Sequence, residues 1–360
     1  MSHPISETVD VNLAERSYQV LIGHGLLDTL GEKLRAIHPG SSCAVITDSN
    51  VGPLYAARAL KSLADAGFKT VLVTVPAGEK SKSLACVEKA CDEMIAAGLD
   101  RNACVVALGG GVVGDLAGFV AAVYYRGIPF AQIPTTIISL VDSAVGGKTG
   151  VNATGGKNLI GSFHQPRFVL ADVDTLKSLP AREFNEGFAE IIKHAIIRDA
   201  QLFEDIAVVD REEMVPLIAR NVAIKAQIVS ADEHETTGER ALLNYGHTVG
   251  HGIEAAAGYG RYLHGEAISL GIVAATSLSV KKAGLSTDAQ RQILARLEQF
   301  HLPVKLPADI STESILSAMK TDKKFSQGKI RFVLANRIGE ASLSDAVTIE
   351  DIRETIEELR

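Results

Sequence analysis

ACVVALGGGVVGDLAGFVAAVYY, residues 103–125, is the stretch on which the fold turns. It has the length and apolar content of a membrane span. Yet it holds five glycines and Asp115, and the run Gly109–Gly110–Gly111 interrupts any continuous helix. Strand, tight turn and buried helix is the parse that accommodates all three features. On that parse GGGVVG (109–114) fits G-x-G-x-x-G at the end of a strand and the start of a helix. In that place, glycines let backbone amides and a helix N-terminus approach a pyrophosphate. A tight, packed turn would select the same glycines, so the motif alone leaves both readings open.

The neighbouring sequence repeats the unit. Strands are expected at 17–22, 43–47, 70–74, 104–108, 129–133 and 168–172, with helical stretches at 53–66, 83–97 and 112–124. That alternation predicts a mostly parallel sheet. After residue 175 the pattern becomes long apolar-periodic segments, roughly 184–207, 212–232, 240–257, 265–283 and 287–300, with a capping box at Thr287 and Gln290 and one late strand at 330–335. The expected plan is an α/β nucleotide-binding domain over 1–178, with a variant Rossmann-like sheet, and a mainly α-helical domain over 179–360. A cleft between two such domains is a common ligand site.

Composition narrows the class. A chain of 360 residues with 46% hydrophobic and 22% charged residues is an ordinary globular protein with ample core. Its net charge of −7 argues against a protein built to grip nucleic acid or an acidic membrane. Cys43, Cys86, Cys91 and Cys104 form no C-x-x-C pair, which points to reduced thiols and a cytoplasmic setting. MSHPISETVD has neither a basic nor an apolar signal region, so no secretory signal is expected.

Against this acidic background, local cations stand out. The G-x-G-x-x-G run lacks the usual acidic residue some twenty positions on; instead Asp48 ends an earlier strand, where it suits a ribose hydroxyl pair, and PAGEKSK (76–82) is a second strand-end loop. DSAVGGKTGVNATGGKNLIGSFHQP (142–166) places Asp142, Lys148, Lys157 and Asn158 among glycines, a backbone-and-lysine cradle for phosphate. FNEGFAEIIKH sets Glu190, Lys193 and His194 on one helical face; Lys225 lies in VAIKAQIV, and Arg240 and Asn244 lie one turn apart, Asn244 one turn from the histidines of NYGHTVGH. His247 and His251 share a helix face, and His264 opens a later helix beside Glu266. Glu190, His247, His251 and His264 are four candidate metal ligands, of which spacing alone favours the His247/His251 pair with one other.

Taken together, GGGVVGDLAGFVAAVYYRG, QIPTTIISLVDSAVGGKTGVN, GKNLIGSFHQP, GFAEIIKH, LNYGHTVGHGIE and HGEAISLGI resemble the 3-dehydroquinate synthase family across nearly the whole chain. The resemblance implies NAD, a divalent metal (zinc or cobalt) and a homodimer. It places the metal on Glu190, His247 and His264, and gives His251 to the substrate site. It implies NAD contacts from Asp48, Asn50, Glu79, Lys82, Gly110, Gly111, Gly114, Asp115, Thr135, Thr136 and Thr175, with Lys148 and Lys157 bordering both ligands. Substrate contacts would be Asp142, Lys148, Lys157, Asn158, Lys193, Lys225, Arg240, Asn244 and His251, with Arg126 supplied across a dimer interface and one lysine of KTDKKF, assigned here to Lys323 over Lys320 or Lys324. The implied substrate is a small anionic sugar phosphate, 3-deoxy-D-arabino-heptulosonate 7-phosphate. The implied chemistry is transient oxidation at C5, β-elimination of phosphate, re-reduction, ring opening and intramolecular aldol closure. Other sugar phosphate cyclases, or a metal-dependent polyol dehydrogenase, are the alternatives.

Overall fold

The structure, a computed structural model, describes residues 5–210, 213–258, 260–320, 325–326 and 329–360. By internal packing the chain forms two compact units, Met1–Leu179 with Glu213–Ser230, and Pro180–Glu212 with Ala231–Arg360.

The first unit is built on seven strands: β1 (Ile5–Val11), β2 (Tyr18–Gly23), β3 (Ser42–Asp48), β4 (Lys69–Val75), β5 (Cys104–Gly109), β6 (Phe130–Pro134) and, after an intervening hairpin, Phe168–Asp172. That hairpin consists of β7 (Lys148–Ala153) and β8 (Gly156–Phe163), so Phe168–Asp172 is β9. The sheet order is β1-β2-β9-β6-β5-β3-β4, with β1 antiparallel to β2 and the remaining pairs parallel. The six expected strands are present. Unexpected is β1, whose charged residues Glu7 and Asp10 hide the alternation; charge of this kind is normal on an edge strand.

Alternation within each buried strand sorts the core to two faces. Ala44, Ile46, Val105, Ala107 and Phe130 pack under α3 (Leu84–Ala96) and α4 (Gly111–Val123). Cys43, Val45, Cys104, Val106, Leu108, Ala131 and Ile133 pack under α1 (Leu30–Ile37) and α2 (Gly52–Asp65). Helices on both faces leave the carboxyl ends of the strands as the ligand-binding edge of such a sheet. The sheet fixes which loops meet there.

The second unit contains α5 (Ala181–Glu186), α6 (Phe188–Arg198), α7 (Ala200–Asp205), α9 (His247–Ala256), α10 (His264–Lys282), α11 (Thr287–Gln299), α12 (Thr312–Lys320) and α13 (Ile349–Glu358), whereas α8 (Met214–Ala231) packs almost wholly with the first. Three expectations need correction. The segment 184–207 is three helices rather than one. The segment 240–257 is a 3₁₀ turn over Arg240–Asn244 followed by α9, broken at Gly246, whose φ of 78° is left-handed. The cap of α11 is Ser286, whose hydroxyl accepts from the Ala289 amide, one residue ahead of the expected Thr287. The late strand, Phe332–Arg337, pairs with an unexpected partner, Glu340–Ser344. Among the described residues no helix is long and apolar enough to cross a membrane.

Candidate active site

At the carboxyl edge of the first unit's sheet, five of the seven strands deliver part of the expected dinucleotide set. Asp48 closes β3; Glu79 and Lys82 follow β4; Gly110 and Gly111 lie between β5 and α4; Thr135 and Thr136 follow β6; Thr175 follows β9. The glycines divide between two tasks. A Cβ on Gly114 would come within 2.6 Å of Gln132 Oε1, and one on Gly118 within 2.5 Å of Thr149 Cγ2, so both serve the packing of α4. Gly110 and Gly111 instead meet the side chains of Thr136 and Ser143 at the helix mouth. There the first-turn amides of α4 lack intrahelical acceptors, which suits a phosphate.

Two members of the set have structural duties as well. Asp48 Oδ1 accepts from the amides of Asn50 (2.8 Å) and Val51 (2.9 Å), which leaves Oδ2 with no hydrogen bond among the described residues. Thr175 is fully buried and its hydroxyl donates to the Asp172 carbonyl at 2.7 Å, so its side chain shapes the edge from beneath. Lys82, 5% exposed, donates to Asp115 Oδ2 at 2.6 Å and also to Asn158 Oδ1. Burial raises the Asp115 pKa above the usual range, and Lys82 offsets only part of that rise.

The glycine-rich segment is a hairpin rather than an irregular phosphate cradle. Its backbone is largely committed to the β7–β8 ladder, and the cross-strand pair Gly150 and Gly161 lets the two backbones close, since a Cβ on either would collide with the other strand. What the segment offers an anion is therefore mainly side chains. Lys148 begins β7, and Lys157 and Asn158 lie on β8, with Lys157 Nζ 3.8 Å from Glu79 Oε1. Lys225 from α8 is buried and ion-paired to Asp142 Oδ1 at 2.7 Å. Arg126 is exposed with φ of 69°, between Tyr125 (φ 48°) and Gly127 (φ 122°).

The second unit gathers the metal candidates. Glycines permit the close crossing of α9 on α10: a Cβ on Gly271 would lie 1.9 Å from the Gly246 carbonyl oxygen, and one on Gly250 3.0 Å from that of Ala267. This approach brings His247 and His264 together over α6. Glu190 there is fully buried, and its Oε1 lies 3.4 Å from Nε2 of His247 and 3.4 Å from Nε2 of His264. Lys193 pairs with the other oxygen, Oε2. His247 Nδ1 lies 3.1 Å from the Tyr245 carbonyl, an acceptor, so that nitrogen carries the proton and Nε2 presents a lone pair. Burial, reinforced by Lys193, lowers the His247 pKa to about 4, so the ring is neutral at pH 7. A lone pair and a carboxylate oxygen thus face each other without a proton between them, an arrangement that a cation stabilises. Burial alone would lower the His264 pKa, but Glu190 and Glu254 outweigh it and raise it to about 10, again marking a place that attracts positive charge. The donor set fits a divalent metal.

His251 stands beside this centre. One nitrogen from each of His247, His251 and His264 falls within 4.8 Å of the others, so proximity alone does not separate a three-histidine set from Glu190, His247 and His264. Asn244 donates to Glu235 Oε1 at 3.2 Å, and Arg240 is buried with its guanidinium on the Glu233 carbonyl. His194 is buried, and Glu266 serves structure: it accepts from the Leu263 amide and from Arg182 through both oxygens.

Comparison with known proteins bears on the same residues. The signature of "3-dehydroquinate synthase N-terminal" matches residues 72–186, and that of "3-dehydroquinate synthase C-terminal" matches 187–325. The chain belongs to the 3-dehydroquinate synthase family. A 3-dehydroquinate synthase of Geobacter metallireducens is 45% identical over 358 residues, covering 98% of each chain. Among solved structures, 2-deoxy-scyllo-inosose synthase complexed with carbaglucose-6-phosphate, NAD+ and Co2+ superposes with a TM-score of 0.88 at 26% identity, covering 98% of this chain and 100% of that one. A 2-epi-5-epi-valiolone synthase from Streptomyces hygroscopicus subsp. jinggangensis, with NAD+ and Zn2+ bound, gives 0.86 at 29% identity, covering 97% and 98%.

Within this member of the 3-dehydroquinate synthase family, three residues around the site were absent from the sequence reading. Asn152 and Asp232 organise loops through hydrogen bonds to backbone amides, which no residue-type motif reveals. Glu254 stands 3.8 Å from His264 Nδ1, and its spacing from His247 on α9, two turns along the same face, was the available signal. Lys323 and Lys324 lie outside the described residues, and of Lys320 only the backbone, at the end of α12, is described.

Proposed function

We propose that this protein converts 3-deoxy-D-arabino-heptulosonate 7-phosphate into 3-dehydroquinate and phosphate, with NAD and a divalent ion, zinc or cobalt, as its cofactors. One observation carries the reading: the imidazole Nε2 atoms of His247 and His264 converge on the single oxygen Glu190 Oε1. Three protein donors leave coordination positions for substrate oxygens, the requirement of a catalytic rather than a structural site. When bound, the nicotinamide supplies a hydride acceptor that is later returned as donor, and the ion supplies a Lewis acid.

The chain's own residues do the rest. Lys193, held on Glu190 Oε2, fixes which carboxylate oxygen turns toward the histidines. Lys225 and Arg240 are suited to the substrate carboxylate, and Lys148, Lys157 and Asn158 to its phosphate. Asp142, by holding Lys225, sets where that cation stands until a substrate anion competes for it. His251 and Asn244 pass a proton to and from the C5 hydroxyl. At the sheet edge, Asp48 and Asn50 take the ribose, while Glu79, Lys82, Gly110, Gly111, Asp115, Thr135, Thr136 and Thr175 form the remainder of the dinucleotide site, with Gly114 supporting it by letting α4 pack against Gln132. The same reading makes the protein a cytoplasmic homodimer in which Arg126 is contributed across the subunit interface; the four free cysteines suit that compartment. Identity of 45% to a named 3-dehydroquinate synthase, against 26% and 29% to cyclases with other products, weighs against those other substrates.

The test is phosphate release from the heptulosonate 7-phosphate with substoichiometric NAD and added zinc or cobalt, while absorbance of NADH is followed. Phosphate in large excess over NAD, without NADH accumulation, is the expected result. Absence of phosphate from protein shown to hold metal and NAD would overturn the substrate, and glucose 6-phosphate and sedoheptulose 7-phosphate would be tried next. Steady NADH formation from a polyol would replace the cyclase reading with a dehydrogenase.

A further inference from the structure

The β7–β8 hairpin is irregular at one place. Val151 pairs with Ile160 and Ala153 with Gly156, so the three residues Lys157, Asn158 and Leu159 of β8 stand opposite the single residue Asn152 of β7. A bulge of this kind takes residues out of the ladder and re-aims their side chains, and it leaves amides that need other acceptors. Asn158, at its centre, has a left-handed φ of 56°, a conformation that asparagine tolerates better than most residues. Its amide is satisfied by the Asn152 side chain, donating to Oδ1 at 2.9 Å.

The other end of the same amide is also engaged. Asn152 Nδ2 donates to Glu79 Oε1 at 2.8 Å, the oxygen that stands 3.8 Å from Lys157 Nζ. The Asn152 backbone amide donates to the Lys82 carbonyl at 2.9 Å, and Lys82 in turn reaches Asn158 Oδ1. One side chain therefore joins the loop after β4 to the bulge of β8, and it uses an acceptor on one side and a donor on the other. Aspartate offers no donor and would set a second carboxylate against Glu79; alanine offers neither group.

We infer that Asn152 is a positioning residue that holds the β8 bulge open and registers Glu79, Lys82, Lys157 and Asn158 as one polar rim. The inference rests on the proposed assignment of those four residues to cofactor and substrate; Asn152 itself is assigned to neither. Its prediction is a binding defect without loss of the metal centre, which is built from other segments of the chain.

The experiment is NAD titration of Asn152→Ala and Asn152→Asp, followed by fluorescence or calorimetry, together with metal content, thermal melting and hydrogen exchange of the hairpin. Both variants are expected to bind NAD about tenfold or more weakly, to hold metal at the wild-type ratio, to melt within a few degrees of wild type and to exchange the Asn158 amide faster. The aspartate variant should be the worse of the two. Lys82→Ala is the control that separates the inference from the assignment beneath it. If Lys82→Ala weakens NAD while both Asn152 variants bind within twofold of wild type, the positioning role is overturned. If Lys82→Ala also binds NAD normally, the assignment of this rim to the cofactor fails, and the inference with it.

Discussion

At the scale of single residues, four side chains stand around a place for one ion. Spacing favoured His247 with His251 because positions four apart share a helix face, but a shared face does not specify which ring nitrogen points where. The Tyr245 carbonyl accepts from His247 Nδ1 and leaves Nε2 facing Glu190, which fixes the direction of that one ring. No pattern of residue types records a carbonyl's direction, so only the four candidates were legible in the sequence. The proposed assignment makes opposite predictions for His251 and Glu190. His251→Ala is expected to retain metal while kcat falls by a factor of about 10² to 10⁴, the usual worth of a proton-transfer group. Glu190→Ala is expected to lose the metal, and with it activity, while the fold is retained. It also removes the carboxylate that is ion-paired with the buried Lys193, a change expected to lower the melting temperature. Metal analysis of the purified variants, with melting curves, checks both. A metal-free His251→Ala beside a metal-replete Glu190→Ala would restore the three-histidine set.

At the scale of elements, the first turn of α4 shows why one motif supported two readings. Packing accounts for Gly114 and Gly118, while Gly110 and Gly111 are the ones proposed for the pyrophosphate. Gly114→Ala would drive a Cβ to 2.6 Å from Gln132 Oε1, and Gly118→Ala to 2.5 Å from Thr149 Cγ2. Overpacking at such sites costs about 1–3 kcal/mol, read as a lowered melting temperature. Gly111→Ala meets first the Ser143 hydroxyl, a group that can rotate away, so melting should be spared while NAD affinity falls. Equal effects on melting at all three positions would dissolve the distinction. The turn after α8 has a comparable organiser in Asp232, whose carboxylate accepts from the amides of Thr236, Thr237, Gly238 and Arg240. Burial would raise its pKa, but those amides outweigh burial and hold it below the ordinary carboxylate range. A depressed folded-state pKa means that the stabilisation is present above the unfolded value, about 3.9, and is lost as pH falls through the folded one. Asp232→Asn should therefore lower stability at pH 7, by about 1–3 kcal/mol for the weakened amide bonds. The difference from wild type should narrow as the pH drops below about 4. A difference independent of pH would assign the loss to packing alone. Apolar period revealed the buried strands and most helices, but not β1 or the β7–β8 hairpin, and it missed these loop contacts because backbone amides carry no residue-type signature.

At the scale of the whole molecule, the change from βα alternation to helical periodicity was legible near residue 178, because strand and helix periods differ. The placement of α8 was not. Its apolar residues cover most of its circumference, Leu217, Ile218, Val222, Ile224, Ile228 and Val229 all being buried, and such a helix carries no indication of which core it joins. Its packing with the first unit places Lys225 beside Asp142, so that unit holds its own buried cation as well as the dinucleotide edge. The proposed metal donors Glu190, His247 and His264 all belong to the second unit. On the proposed assignment, cofactor and ion are held by different compact units of one chain, and removal of one should leave the binding of the other largely intact. Prolonged chelation is expected to reduce phosphate release at least a thousandfold, and added zinc or cobalt to restore it. The chelated protein should still bind NAD with a dissociation constant within about threefold of the loaded enzyme, since the two donor sets share no residue. Loss of NAD binding in step with the metal would show that the ion organises the dinucleotide edge, and would contradict the independence of the two sites.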